Sequence, residues 1–273
     1  MAREVTIVRK ETHVRKTWLI TGAARGFGRV WAEAALKRGD SVIATAREPE
    51  KLADLVTQFG DNFLPVTLDV RDRAAVSAAV ETGFRAFGRI DVVVNNAGYG
   101  LFCPLENVPE NDARQIIETN VLGSLWVIQS ILPYLRQQGY GHIIQISSIA
   151  GLMALPGMAM YNATKWAVEG MVETLANEVK EFGINVTLVE PGPHLTDWIG
   201  SSAVRPERGE AYPTHEQMMQ QSWPRMLPGY PINAVEPMLN LVDTDTPPLR
   251  MLLGESLNEM IIQDGQRRLA GIE

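Results

Sequence analysis

The strongest constraint in this sequence is an alternation that runs through most of it. Thr17 to Ile20, Ser41 to Ala46, Phe63 to Leu68, Asp91 to Val94, His142 to Ile146 and Asn185 to Val189 are short apolar runs of the kind that form buried strands. Between them, Val30 to Arg38, Leu52 to Phe59, Ala74 to Phe87, Asp112 to Leu135 and Tyr161 to Phe182 carry apolar residues at helical spacing. No repeat and no low-complexity linker interrupts the series. Strands that alternate with helices predict a parallel sheet with helices on both faces, joined by right-handed crossovers. The expected fold class is therefore α/β, doubly wound, in a single domain over residues 17–273, preceded by a basic extension at 1–16.

Size and charge narrow the options. A chain of 273 residues is long enough to bury roughly three quarters of its unfolded surface in one core. A net charge of −7 argues against a nucleic-acid partner. Residues 1–16 depart from that balance, with five basic residues against Glu4 and Glu11, and read as a solvated tail, with contact to an anionic partner as the alternative. The single cysteine, Cys103, excludes an intramolecular disulfide and fits a reducing, cytoplasmic setting. Four histidines lack metal-ligand spacing, so no metal site is expected. No signal-peptide core is evident, and the apolar stretch from Val121 to Leu135 is broken by Ser124, Gln129, Ser130 and Pro133, which suits a buried helix rather than a membrane span.

The first strand runs into Thr21-Gly22-Ala23-Ala24-Arg25-Gly26-Phe27-Gly28 and then a helix. Glycines in such a turn let the backbone approach a pyrophosphate, while the helix N-terminus offers unpaired N–H groups and a favourable dipole. The spacing is Gly-x3-Gly-x-Gly, looser than the dinucleotide fingerprint Gly-x-Gly-x-x-Gly. Where the second strand ends, an NAD site places an acidic residue on the ribose; here Ala46 stands there and Arg47 follows. Arg47 and Arg25 are two forked donors suited to a 2′-phosphate, which favours NADP(H) and leaves NAD(H) open through Glu48.

The remaining chemistry lies at later strand ends. Asn95-Asn96-Ala97-Gly98 closes the fourth strand, where open parallel sheets place ligands. Asn120 is a polar residue within an apolar helix. Ser148 follows the fifth strand, and Tyr161 lies thirteen residues further on, with Lys165 one helical turn beyond. Residues four apart on a helix have Cβ atoms ~6 Å apart, so an ammonium at 165 is expected beneath the phenol and expected to lower its pKa from about 10. The helix dipole would add roughly 0.5 kcal/mol to a phenolate near the helix start.

Together, Thr21-Gly22-x3-Gly26-x-Gly28, Asn95-Asn96-Ala97-Gly98, Asn120, Ser148, Tyr161-x3-Lys165 and Pro191-Gly192 closely resemble the short-chain dehydrogenases/reductases over residues 16–192. The resemblance implies a Rossmann fold and hydride exchange between a nicotinamide and a carbonyl or secondary alcohol. It implies Tyr161 as proton donor or base, Lys165 as its partner and holder of the nicotinamide ribose, Ser148 as the group that orients substrate oxygen, and Asn120 as part of a water relay. It places Gly22, Gly26 and Gly28 against the pyrophosphate, Asp69 against the adenine, Asn96 and Gly98 on the adenosine side, and Thr196 on the carboxamide. Arg25, Phe27, Arg47, Val70, Ala97, Pro191 and Gly192 complete the cofactor set.

Residues 193–231 lose the rhythm and fill with Pro, Met and Trp, and in the family such a stretch covers the substrate. Its adaptable apolar side chains point to an apolar or aromatic substrate, with His194, Trp198 and Met153 as candidate contacts. The leading expectation is an NADP(H)-dependent carbonyl reductase. The alternatives are an NAD-linked hydroxysteroid, retinol or polyol dehydrogenase and a non-catalytic NADP sensor. A homodimer or homotetramer is expected, although Gly254-Glu255-Ser256 replaces an ending that many tetrameric relatives carry.

Overall fold

A computed structural model describes residues 14–196, 200, 202–207, 209–222, 228–254 and 257–272. Seven strands form one sheet: β1 (Thr17–Thr21), β2 (Ser41–Ala46), β3 (Phe63–Thr67), β4 (Val92–Asn95), β5 (Gly141–Ile146), β6 (Ile184–Pro191) and β7 (Arg250–Leu253). Their order is β3-β2-β1-β4-β5-β6-β7, and every pairing is parallel. The order reverses between β1 and β4, which opens a crevice at the carboxyl ends of those two strands.

The strands are apolar on consecutive residues because both faces are covered. Trp18, Ile20, Val42, Ala44, Val92 and Val94 point to one core, against α1 (Gly26–Arg38) and α8 (Val235–Asp243). Leu19, Ile43, Val93 and Ile143 point to the other, against α3 (Arg73–Phe87), α5 (Gly123–Gln138) and α6 (Ala159–Val179). A third, smaller cluster at the carboxyl end of the sheet gathers Leu101, Phe102, Ile149, Met153, Leu155 and Met158.

Local signals set the element ends. Asp72 caps α3, its carboxylate accepting from the Ala74 and Ala75 amides at 2.9 and 3.0 Å, a cap worth about 1 kcal/mol. α1 begins at Gly26 rather than Val30, so half of the glycine turn is the first turn of the helix. The helix expected over Asp112 to Leu135 is α4 (Glu110–Ile117) joined to α5 through a π-helical turn, Glu118–Leu122. That turn contains Asn120. By length and hydropathy the run Glu110–Gln138 could cross a membrane, but Val127, Ile128, Ile131 and Leu135 lie in the second core.

Three helices had no counterpart in the sequence reading. α7 (His215–Ser222) lies within the stretch that lost the rhythm, and α8 and α9 (Leu257–Leu269) flank β7. α2 (Ala53–Phe59) is preceded by a 3-10 turn, Pro49–Leu52.

Candidate active site

β1 delivers the chain to a turn whose backbone demands glycine. Gly22 and Gly26 have φ of 67° and 55°, the left-handed region that residues with a Cβ rarely adopt. Gly28 meets a different demand, since a Cβ there would lie 2.6 Å from the Gly22 carbonyl oxygen and 2.8 Å from Asn96 Nδ2. Thr21 Oγ1 accepts from the Asn96 and Ala97 amides (2.9 and 3.0 Å), and Asn96 Nδ2 donates to the carbonyls of Thr21 and Gly22 (2.8 and 3.2 Å). The side chain of Asn96 is thus committed to pinning β4 to the turn. The first turn of α1 has no acidic residue and Arg25 makes no side-chain cap, so its amides are available to an anion. A diphosphate fits this cradle, and a Cβ at Gly22, Gly26 or Gly28 would strain or fill it.

The turn forms the middle of a cleft of about 880 Å³, within the usual range for small-molecule sites. On the β2 and β3 side its walls carry Arg25, Arg47, Lys51 and Arg71 together with Glu48 and Asp69. Glu48 pairs with Lys51 at 2.9 Å and Asp69 with Arg71 at 2.6 Å, and these cations hold both carboxyls below their ordinary pKa range. Among the described residues Arg25 and Arg47 make no ion pair. Glu48, the candidate ribose ligand, is instead tied to Lys51.

On the β5 and β6 side the cleft holds Ser148, Tyr161 and Lys165. Ser148 ends the extended chain after β5, and its Oγ accepts from the Ala150 amide (3.1 Å) and lies 3.4 Å from the Pro191 carbonyl. Tyr161 sits in the first turn of α6, buried, with a hydrogen bond to Ser148. Lys165 lies under the ring, its Nζ 5.6 Å from the ring centroid, and donates to the Ile146 carbonyl at 2.8 Å.

The electrostatics depart from expectation. Burial pushes the Tyr161 phenol above its ordinary pKa, with the Ser148 hydrogen bond opposing. Burial also brings Lys165 down to about 8, with Glu169 opposing. The ammonium lies under the ring and donates to a backbone carbonyl, and desolvation remains the largest influence on the phenol.

Most of the expected site residues meet here. Gly22, Arg25, Gly26, Phe27, Arg47 and Asp69 line the cleft, as do Val70, Asn96, Ala97, Gly98, Pro191 and Gly192; Thr196 and His194 close it from above. Asn120 and Gly28 stand one layer behind the wall. Asn120 bridges Tyr99 and Thr164: its Oδ1 accepts from the Tyr99 amide (3.1 Å), and its Nδ2 reaches the Tyr99 carbonyl (3.0 Å) and Thr164 Oγ1 (3.2 Å). Met153 does not reach the cleft; it is fully buried in the third cluster. His194 is clamped, with Nδ1 donating to the Gly192 carbonyl (2.9 Å) and its ring edge-on to Phe27 at 4.9 Å. Trp198 lies outside the described residues.

Sequence reasoning missed Lys51 and Arg71, although each lies within four residues of an expected contact. It also missed the apolar wall of Tyr99, Phe102, Leu155, Met158 and Val204. Those five come from three segments, and no local pattern joins them. Backbone bonds do: Phe102 N donates to the Val204 carbonyl at 2.9 Å, and Cys103 N to that of Gly157 at 2.8 Å.

Comparison with known proteins finds similar sequences and similar folds. A family model for short chain dehydrogenases matches residues 16–205. Oxidoreductase BOA17 of Botryotinia fuckeliana is 45% identical over 244 residues, covering 88% of this chain and 89% of that protein. A short-chain dehydrogenase from Streptomyces avermitilis superposes with a TM-score of 0.87 at 36% identity, covering 95% of each chain. Two more solved relatives carry different cofactors. A Burkholderia phymatum protein with NAD is 26% identical, with a TM-score of 0.80 over 94% of this chain and 95% of that one. A Burkholderia cenocepacia protein with NADP is 27% identical, with a TM-score of 0.76 over the same shares.

Proposed function

The chain belongs to the short-chain dehydrogenase family, and from that premise we propose that it is an NADP(H)-dependent reductase of apolar or aromatic ketones or aldehydes. The observation that carries this reading is the meeting, in one cleft, of Tyr161, Ser148 and Lys165 with the glycine turn of α1. Four cations at the adenosine end support NADP(H), Arg25 and Arg47 above all, because a 2′-phosphate accepts charge-assisted bonds from forked donors. The apolar wall supports the substrate class: Phe102, Leu155 and Met158 offer a carbonyl compound dispersion contacts and no competing hydrogen bonds.

The nicotinamide, bound in this cleft, supplies or accepts the hydride. The remaining work falls to the chain. Reduction leaves negative charge on the former carbonyl oxygen, which needs a proton. Tyr161 Oη donates it, and Ser148 Oγ, already bonded to that phenol, orients the same oxygen. Lys165 keeps a positive charge beneath the ring, so that the phenolate formed is stabilised. Asn120 fixes the Tyr99 segment against α6 through Thr164. Burial of Tyr161 excludes bulk water from the proton transfer.

The test is absorbance at the nicotinamide band while purified protein is offered NADPH, then NADH, with aryl ketones, aldehydes, diketones and steroids. Oxidation that prefers NADPH and an aryl or alkyl ketone is expected. Preference for NADH with a steroid or polyol would move the assignment to an NAD-linked dehydrogenase, and tight NADPH binding without turnover would leave a sensor. The proposal extends to a homodimer or homotetramer working in the cytoplasm, which sedimentation velocity and cell fractionation test.

A further inference from the structure

α6 turns two ionisable side chains towards the sheet one helical turn apart, Lys165 and Glu169, and both are buried. Behind them, β6 contributes Glu190, 1% exposed, and β7 contributes Arg250, whose guanidinium reaches Glu190 (2.7 Å), Glu173 (2.8 Å) and one oxygen of Glu169. One cation is thus divided among three carboxylates. Buried carboxylates need compensating charge, and Glu190 shows the shortage: burial and the neighbouring Glu169 lift it to about 7.

The second oxygen of Glu169 is arranged differently. Oε1 is buried and has no hydrogen-bond partner among the described residues, and neither has Ser147 Oγ. Both border Gly151, where a Cβ would lie 2.9 Å from Ser147 Oγ and from Glu169 Cγ, and 3.1 Å from Oε1. The open carboxylate oxygen therefore lies beside the turn that carries Ser148, and Ser147, which borders the same glycine, follows Ile146, whose carbonyl receives Lys165 Nζ. A role limited to stitching β6, β7 and α6 would need only the oxygen that Arg250 already holds.

Resting on the reading of Tyr161 and Lys165 given above, we propose that Glu169 is a positioning residue for Lys165: a buried carboxylate behind the ammonium that preserves its positive charge beneath the Tyr161 phenol. The ionisable groups around the pair are Tyr161 and Glu173 on α6, Glu190 on β6 and Arg250 on β7; the end of β5 contributes the Ile146 carbonyl and the Ser147 hydroxyl. Removing the carboxylate charge leaves burial of Lys165 opposed by less, so the ammonium loses its proton at lower pH.

The test follows the 13Cε signal of Lys165 against pH in lysine-labelled protein, with the signal identified by its loss in Lys165→Met. The midpoint is expected to fall by at least half a pH unit in Glu169→Gln, about threefold in the ionisation constant. It should stay in place in Glu173→Gln, which also removes a contact of Arg250, and should return towards the parent value in Glu169→Asp. An unchanged midpoint in Glu169→Gln overturns the proposal. If that variant does not fold, Glu169→Gln combined with Arg250→Gln decides: its Lys165 midpoint should lie below that of Arg250→Gln alone, and an equal or higher midpoint overturns the proposal. The alkaline limb of the kcat profile should move with the midpoint. A midpoint that moves in a protein that reduces no carbonyl sustains the role of Glu169 and rejects the reductase reading instead.

Discussion

The two ends of the cleft are built by different means. The cofactor end is made of backbone: strand ends, a glycine turn and amide hydrogen bonds from Asn96 and Ala97 to Thr21, all within the sheet's own register. The apolar end, where the proposed substrate would bind, is made of side chains borrowed from segments 99–103, 152–158 and 202–204, joined by single bridges such as Leu101 with Val204 and Cys103 with Met158. The first kind of wall tolerates almost no added atom, and the second can exchange one apolar side chain for another. Mutations should therefore have sharp, cofactor-specific effects at one end and graded, substrate-specific effects at the other.

The largest effect is expected where the ends meet. Tyr161→Phe removes the proton donor and keeps the ring, so kcat should fall by about 10²–10⁴ with NADPH affinity nearly unchanged. Stopped-flow turnover and calorimetric binding check the two halves of that statement. Comparable loss of binding would mean that Tyr161 belongs to the cofactor end alone.

Gly28→Ala tests the backbone wall. Its Cβ would meet a fixed carbonyl oxygen at 2.6 Å, and overpacking of this kind costs about 1–3 kcal/mol. NADPH binding should weaken by roughly tenfold or more, since 1.4 kcal/mol is a factor of ten, and thermal melting should show a lower Tm. Retained affinity would show that the turn yields, and the contrast between the ends would lose its basis.

Arg47→Asp separates charge from shape at the same end. Loss of a charge-assisted bond worth about 1.5–3 kcal/mol should raise the KM for NADPH by about tenfold or more, leaving NADH unaffected or improved. Equal changes for both cofactors would remove Arg47 from the 2′-phosphate.

The smallest effect is expected from Phe102→Leu at the apolar wall. The ring is buried and lies under the Arg205 guanidinium at 4.5 Å. A conservative apolar exchange usually costs less than about 1.5 kcal/mol, so the KM of an aryl ketone should rise a few-fold while that of NADPH stays constant. A change in the cofactor KM would mean that the two ends are coupled.

Legibility in the sequence followed the same division. Gly22, Gly26 and Gly28 were readable because each answers a backbone demand that few residue types meet. Tyr161 and Lys165 were readable because helical periodicity places them together. The helix containing Asn120 was read as continuous, whereas a π turn interrupts it, since i→i+5 bonding leaves no mark in a hydrophobic pattern. Met153 was a candidate substrate contact, and the chain folds it into the third cluster instead. No sequence motif singles out Glu169 or Glu190; only the pairing of β6 with β7 brings Arg250 to them.

Sequence alone determined the strand–helix alternation, the glycine turn, the tyrosine–lysine pair and the family. These depend on periodicity and backbone geometry, which act over a few residues. Tertiary structure decided which cations line the β2 and β3 side of the cleft, which apolar side chains form the far wall, and which way Tyr161 and Lys165 shift in pKa. Those properties depend on burial and on contacts between residues a hundred or more positions apart, such as Phe102 with Val204. Desolvation and long-range packing exist only once the sheet has assembled.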